Sequence, residues 1–143
     1  MSTSTLPPAP SPRGLGRRIA AVFLGLLAVV VLSLGTDQIP HVADFYPPRG
    51  EPMPDPFQNL VALASHCVYT VIGGHLAAKI APHAPMREVW IPGMIGTVLG
   101  TLGVIGTWNL NLGLHGYPIA IAAIGLPLTL LGGKLHENQS ASA

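Results

Sequence analysis

"WIPGMIGTVLGTLGVIGTW" occupies residues 90–108. Between its two tryptophans there is no charge and nothing more polar than threonine. A helix rises about 1.5 Å per residue, which sets the two indoles about 27 Å apart. The hydrocarbon core of a bilayer is about 30 Å thick. Indole rings favour the headgroup level on either side of it. The stretch reads as one membrane-spanning helix, and the rest of the chain is read outward from it.

Three further apolar segments are long enough to cross. "GRRIAAVFLGLLAVVVLSLG" has a charge-free run over residues 19–35. A second runs over about 57–80, and "YPIAIAAIGLPLTLLGG" covers 117–133. Spanning takes roughly 17–25 residues. Spans are therefore expected at about 17–36, 58–80, 89–108 and 117–134, within a membrane domain covering 16–136. Only 9% of the 143 residues are charged and the mean hydropathy is +0.50. A soluble domain carries about 25% charged residues. The expected fold class is all-α: an integral membrane four-helix bundle built from two antiparallel helical hairpins.

The flanks follow from composition. "MSTSTLPPAPSPRG" is rich in Ser, Thr and Pro and cannot bury a core, so residues 1–15 are expected to be a disordered leader. Residues 137–143 form a short tail. The first segment also fits a signal peptide cleaved after Gly35. Its spanning length and poor cleavage signal favour an uncleaved helix. Pro92 and Pro118 fall near segment starts, where a missing N–H does no harm. Pro127 falls inside the fourth segment and should kink it.

Orientation comes from Lys and Arg, which gather in short cytoplasmic loops. Of the seven basic residues, Arg13, Arg17, Arg18, Lys79, Arg87 and Lys134 share one side when the N-terminus is inside, and only Arg49 falls outside. Both termini are therefore expected in the cytoplasm. The outer loop, 37–57, holds four of the six acidic residues. Its first part fits a short surface helix with Ile39, Val42 and Tyr46 toward lipid and Asp37, His41 and Asp44 toward water. "YPPRGEPMPDP" must be extended and turn-rich.

Several side chains suggest more than spanning. In "SHCVYTVIGGHLAAKIAP", residues 65–82, His66 and His75 are nine apart and point to opposite faces of a helix. Ala62, His66, Tyr69, Thr70, Gly73 and Ala77 share a small, polar stripe that should face the bundle, opposite Val61, Val68 and Ile72. An ionisable group within a span is a site hypothesis by default. No Asp or Glu falls within any span, and the Lys and Arg that do stand only at span ends, which favours a neutral packing histidine. His75 lies one turn before Lys79, within reach of headgroups. Cys67, the one cysteine, reads as a small buried hydrophobe. Gly93, Gly96, Gly100 and Gly103 form a close-packing face on the third segment, and Gly73 does so on the second. That face suits either a helix of the same chain or a second copy in a homodimer, with Gly125 and Thr129 as a matching surface. Trp90, Trp108, Tyr46 and Tyr117 read as interface anchors.

Asp37, His41 and Asp44 stand at i, i+4 and i+7, and His115 lies in the other outer loop. A zinc-type site would use such donors, but their spacing alone is weak evidence, a solvated loop face is the favoured reading, and Pro40 restricts helix there. His66, His41 and His115 are the weak candidates for a cofactor. No residue is assigned to catalysis or to a metal, and no cofactor is expected. A faint echo links "GGHLAAK" with "GGKLHE", each preceded upstream by Tyr-Pro. It fits either a repeated hairpin or chance similarity in apolar sequence.

At "YPPRGEPMPDP", "GGHLAAKIAPHAPM" and "YPIAIAAIGLPLTLLGGKL" the chain resembles small four-helix bacterial inner-membrane proteins of uncharacterised activity, over roughly residues 17–136. The resemblance implies location and span count, and supplies no catalytic residue. Three function classes stay open: a non-catalytic membrane component or accessory subunit that shows its outer loop to a protein partner, an oligomeric transporter or channel, and a metal- or haem-binding membrane enzyme. Lipid is the expected surround, and nothing suggests nucleic acid.

Overall fold

In the computed structural model the chain is described at residues 12–81, 85–111 and 113–142. Most of the expected leader and the last residue of the tail lie outside those residues. Four helices follow one another: α1 (Pro12–Val42), α2 (Pro56–Ile80), α3 (Pro85–Thr107) and α4 (Gly116–Ala141). A single 3-10 turn, Trp108–Leu110, closes α3. All four helices are long and apolar enough to cross a membrane. The fold is an all-α four-helix bundle, and the chain is a multi-pass membrane protein.

Each helix outruns the apolar segment that announced it. The cause is clearest in α1, which passes through Pro40 to Val42. Pro40 forfeits the helical hydrogen bond to the carbonyl four residues back, and the helix ends within a turn of it. The expected surface helix is therefore the last turns of α1. Its end is set by Asp44, which adopts the left-handed conformation at φ +56°. The Phe45 N–H then reaches the Pro40 carbonyl at 2.9 Å, and the Asp44 N–H reaches that of His41 at 3.4 Å. This is a Schellman termination with Asp in the place glycine usually takes. Asp44 thus turns the chain and does not share a helical face with Asp37 and His41.

α2 starts by ordinary capping chemistry. Asp55 Oδ1 accepts from the Phe57 N–H at 2.8 Å, and Pro56 occupies the first position. α3 begins at Pro85, so Pro92 stands inside the helix, while Pro118 falls in the first turn of α4. α4 continues through Pro127 to Ala141 and takes in most of the expected tail.

The helices alternate in direction, so α1 begins and α4 ends at one end of the bundle, here the terminal end. The opposite, loop end carries residues 43–55. Around the bundle the order is α1, α2, α4, α3, and the closest packing is between the parallel pair α2 and α4. Glycine makes that approach possible. A Cβ on Gly74 would overlap the Thr129 carbonyl, and one on Gly132 would overlap the Val71 carbonyl. Their neighbours serve the other seams: Gly73 meets Gly25 and Val29 of α1, and Gly133 meets Val89 and Met86 of α3. The two Gly-Gly pairs behind the sequence echo therefore meet each other at the centre. On α3, Gly93 lies against Leu126 and Gly100 against Ala122, but Gly96 and Gly103 have no neighbour among the described residues within 4 Å of where a Cβ would stand.

The threonines add little between helices. Thr70, Thr97, Thr101, Thr107 and Thr129 each donate to the carbonyl four residues back on their own helix. On α2, Ala62, Thr70, Gly73 and Ala77 are buried, and Val68 and Ile72 face outward. Trp90 and Trp108, at opposite ends of α3, are both about half exposed.

Candidate functional site

The polar side chains of this apolar chain gather at its two ends. At the terminal end Arg18 Nε donates to Glu88 Oε1 at 2.6 Å, tying α1 to α3. Glu88 is 3% exposed, and its second oxygen, Oε2, has no hydrogen-bond partner among the described residues. Arg17 Nη2 donates to the Ile80 carbonyl at 3.2 Å and so caps the last turn of α2. The His75 and His136 rings meet edge to face with centroids 5.2 Å apart, joining α2 to α4.

The loop end is more elaborate, because the chain between α1 and α2 folds back as a cap. Tyr46 is its anchor, 7% exposed and packed against the His41 and Phe45 rings. His41 Nδ1 stands 3.0 Å from the Pro47 carbonyl. A carbonyl oxygen only accepts, so Nδ1 carries the proton, and in the neutral ring Nε2 is left as an acceptor. Gln58 donates to the Phe45 carbonyl, and Arg49 donates to Gln38 Oε1. Buried Asn59 spends its amide on the Met53 and Asp55 carbonyls, both at 2.8 Å. Met53 also bridges to Gly113 in the second loop, where φ is +143° and the Met53 carbonyl leaves no room for a Cβ.

A cavity of about 250 Å³ lies beneath this cap. Asp37 and His41 come from α1, Tyr46, Arg49 and Glu51 from the cap, and Tyr117 from α4. Asp37 lies within electrostatic reach of His41, His66 and Arg49. Burial holds the Tyr46 phenol above its ordinary 10.0, and the Asp37 and Tyr69 charges push the same way. Its hydroxyl therefore stays neutral through the physiological range. A second cavity, about 360 Å³ and mostly apolar, opens between α3 and α4. Gly100, Gly103, Trp108 and His115 help to line it, and Tyr117 borders both cavities.

The three candidate histidines are placed apart. His41 is committed to the cap. His115 contacts the Trp108 carbonyl at 2.9 Å and stacks at a tilt on its indole, 4.6 Å between centroids. His66 is half-buried on α2, within electrostatic reach of Asp37. Among the described residues, no three His, Cys, Asp or Glu side chains come close enough to hold a metal ion. Cys67 is a half-buried free thiol. Tyr117, expected as an interface anchor, turns inward. In sequence His66 has no acidic companion, because Asp37 falls in the stretch that reads as the outer loop. Extension of α1 to Val42 puts Asp37 on the helix at the height of His66. The burial of Glu88 carries no signal in sequence, since it stands beside Arg87 just outside the apolar segment.

No family model, curated protein or solved structure matches the chain.

Proposed function

We propose that this protein is a non-catalytic component of a bacterial inner membrane that presents its loop-end cap to a partner on the outer side. The observation that carries the reading is the cap itself. Helix connections in bundles usually need only about 2–8 residues. Here residues 43–55 are pinned at Tyr46, Pro47 and Met53 by side chains of α1 and α2. Such an ordered surface suits recognition with little ordering cost. The bundle beneath it is held backbone to backbone at Gly74 and Gly132, which suits a scaffold.

The orientation rests on charge. Arg17, Arg18, Lys79, Arg87 and Lys134 stand at the terminal end, and Arg49 at the loop end. The positive-inside rule supports cytoplasmic termini and a cap outside.

The test is in-cell photocrosslinking of the full chain. A photoreactive residue at Pro48 or Glu51 should give a discrete protein adduct of fixed mass, and one at lipid-facing Leu99 should not. If all three positions give the same lipid-sized adducts, the cap has no partner and the reading fails.

A second reading, an oligomeric transporter, draws on the nearness of Asp37 and His66, because ionisable groups at membrane depth mark pathways. The open strip at Gly96 and Gly103 would then be where a second copy packs. That reading expects a pH-dependent solute flux in vesicles that His66→Ala abolishes. An unchanged flux in the variant removes His66 from any pathway.

A further inference from the structure

The cavity under the cap carries a chemistry that the scaffold role does not use. Among the described residues, no hydrogen bond is made by the carboxylates of Asp37 and Glu51 or by the phenols of Tyr46 and Tyr117, although all four line the same space. The histidine beside them offers Nε2 as an acceptor, because Nδ1 is taken by the Pro47 carbonyl. Arg49 is turned to Gln38. Apart from the imidazole of His41, the ionisable groups that line the space and carry charge are two carboxylates against one guanidinium. Acceptors, aromatic rings and a net negative charge make a site for a cation.

Two observations narrow the cation. No three-ligand metal group exists among the described residues, which argues against a bare divalent ion. Besides Gly50, the rest of the lining is Pro47, Pro48, Met53 and Ala62, apolar walls that suit methyl and methylene groups. The volume of about 250 Å³ falls below the roughly 300–1,000 Å³ of drug-sized sites. We propose that this cavity binds the ammonium group of a small organic cation, either free or as the headgroup of a phospholipid, with Asp37 as the counter-charge and Tyr46 and Tyr117 as aromatic walls. Arg49, at the rim, receives the anionic end of a zwitterionic ligand. The proposal is independent of whether the cap has a protein partner.

The test uses the full chain in nanodiscs of phosphatidylglycerol, with radiolabelled choline as the probe. Saturable binding is expected. Asp37→Asn should weaken it on the order of thirtyfold, as loss of one partner of a desolvated charge pair does. Tyr117→Leu should cost about fivefold, and Tyr117→Phe, which keeps the ring, less than about twofold. If Asp37→Asn fails to insert, the two Tyr117 variants still decide. A second arm asks for the source. Native mass spectrometry from discs that also contain phosphatidylethanolamine should show one retained amine lipid per chain if the ligand is a headgroup, and none if it is a free cation. No saturable choline binding together with no retained amine lipid overturns the proposal. So does binding of either kind that Asp37→Asn and Tyr117→Leu leave unchanged.

Discussion

At Gly74 a hydrogen faces the Thr129 carbonyl, and any larger substituent would occupy the same space as that oxygen. The obstacle is backbone on a neighbouring helix, which cannot rotate away. Gly74→Ala should therefore destabilise the bundle by about 3 kcal/mol, the upper part of the range for overpacking. Gly96→Ala is the counterpart. It lies on an equally glycine-rich stretch but faces open space, so the variant should gain up to about 1 kcal/mol of helix propensity. Unfolding in mixed micelles, followed by circular dichroism, reads both. Equal effects at the two positions would contradict the packing described here. In sequence the two glycines are indistinguishable. Both sit in apolar helices beside β-branched and small neighbours, and only the arrival of α4 separates them.

Between elements, the Arg18–Glu88 pair fastens α1 to α3, a seam with few other contacts. Glu88 is buried and already has one unsatisfied oxygen. Removing its cation leaves a buried charge alone, and the loss of one partner of such a pair costs roughly 3–5 kcal/mol. Arg18 is itself partly exposed, so Arg18→Met is expected at the lower end, about 3 kcal/mol. Replacing both, Arg18→Met with Glu88→Leu, should recover most of that loss, because two apolar side chains need no partner. A double-mutant cycle measures the coupling. A double variant no more stable than Arg18→Met alone would show that the pair is not the fastening. The end of α1 belongs to the same scale. Asp44 closes the helix through backbone geometry, so a residue that looks like a ligand in sequence is a terminator in the fold.

For the whole molecule, four antiparallel crossings place the start of α1 and the end of α4 on one face of the membrane and the cap on the other. Cysteine labelling tests this directly. In a Cys67→Ser background, Glu51→Cys should react with an impermeant maleimide on intact spheroplasts, and Lys134→Cys only after permeabilisation. The reverse pattern would invert the orientation. Labelling of both without permeabilisation would rule out four crossings.

The number of helices and their apolar character were legible in the sequence, because spanning a bilayer is a requirement on length and hydropathy along one segment. "WIPGMIGTVLGTLGVIGTW" meets it without reference to any other part of the chain. The basic bias was legible for the same reason, since it is a count over loops. What the tertiary structure decided is which faces meet. Lipid is as apolar as a helix interior, so the inward face carries no hydrophobic stripe and is marked only by small residues. Those occur on α2, α3 and α4 alike, and backbone contact at Gly74 and Gly132 is what selects the α2–α4 seam as the centre. The site follows the same logic. Asp37, Tyr46 and Glu51 fall in one short stretch, Tyr117 lies far beyond them, and each is ordinary where it stands. They share one cavity only because α1 runs on to Val42 and the chain beyond it folds back over the bundle.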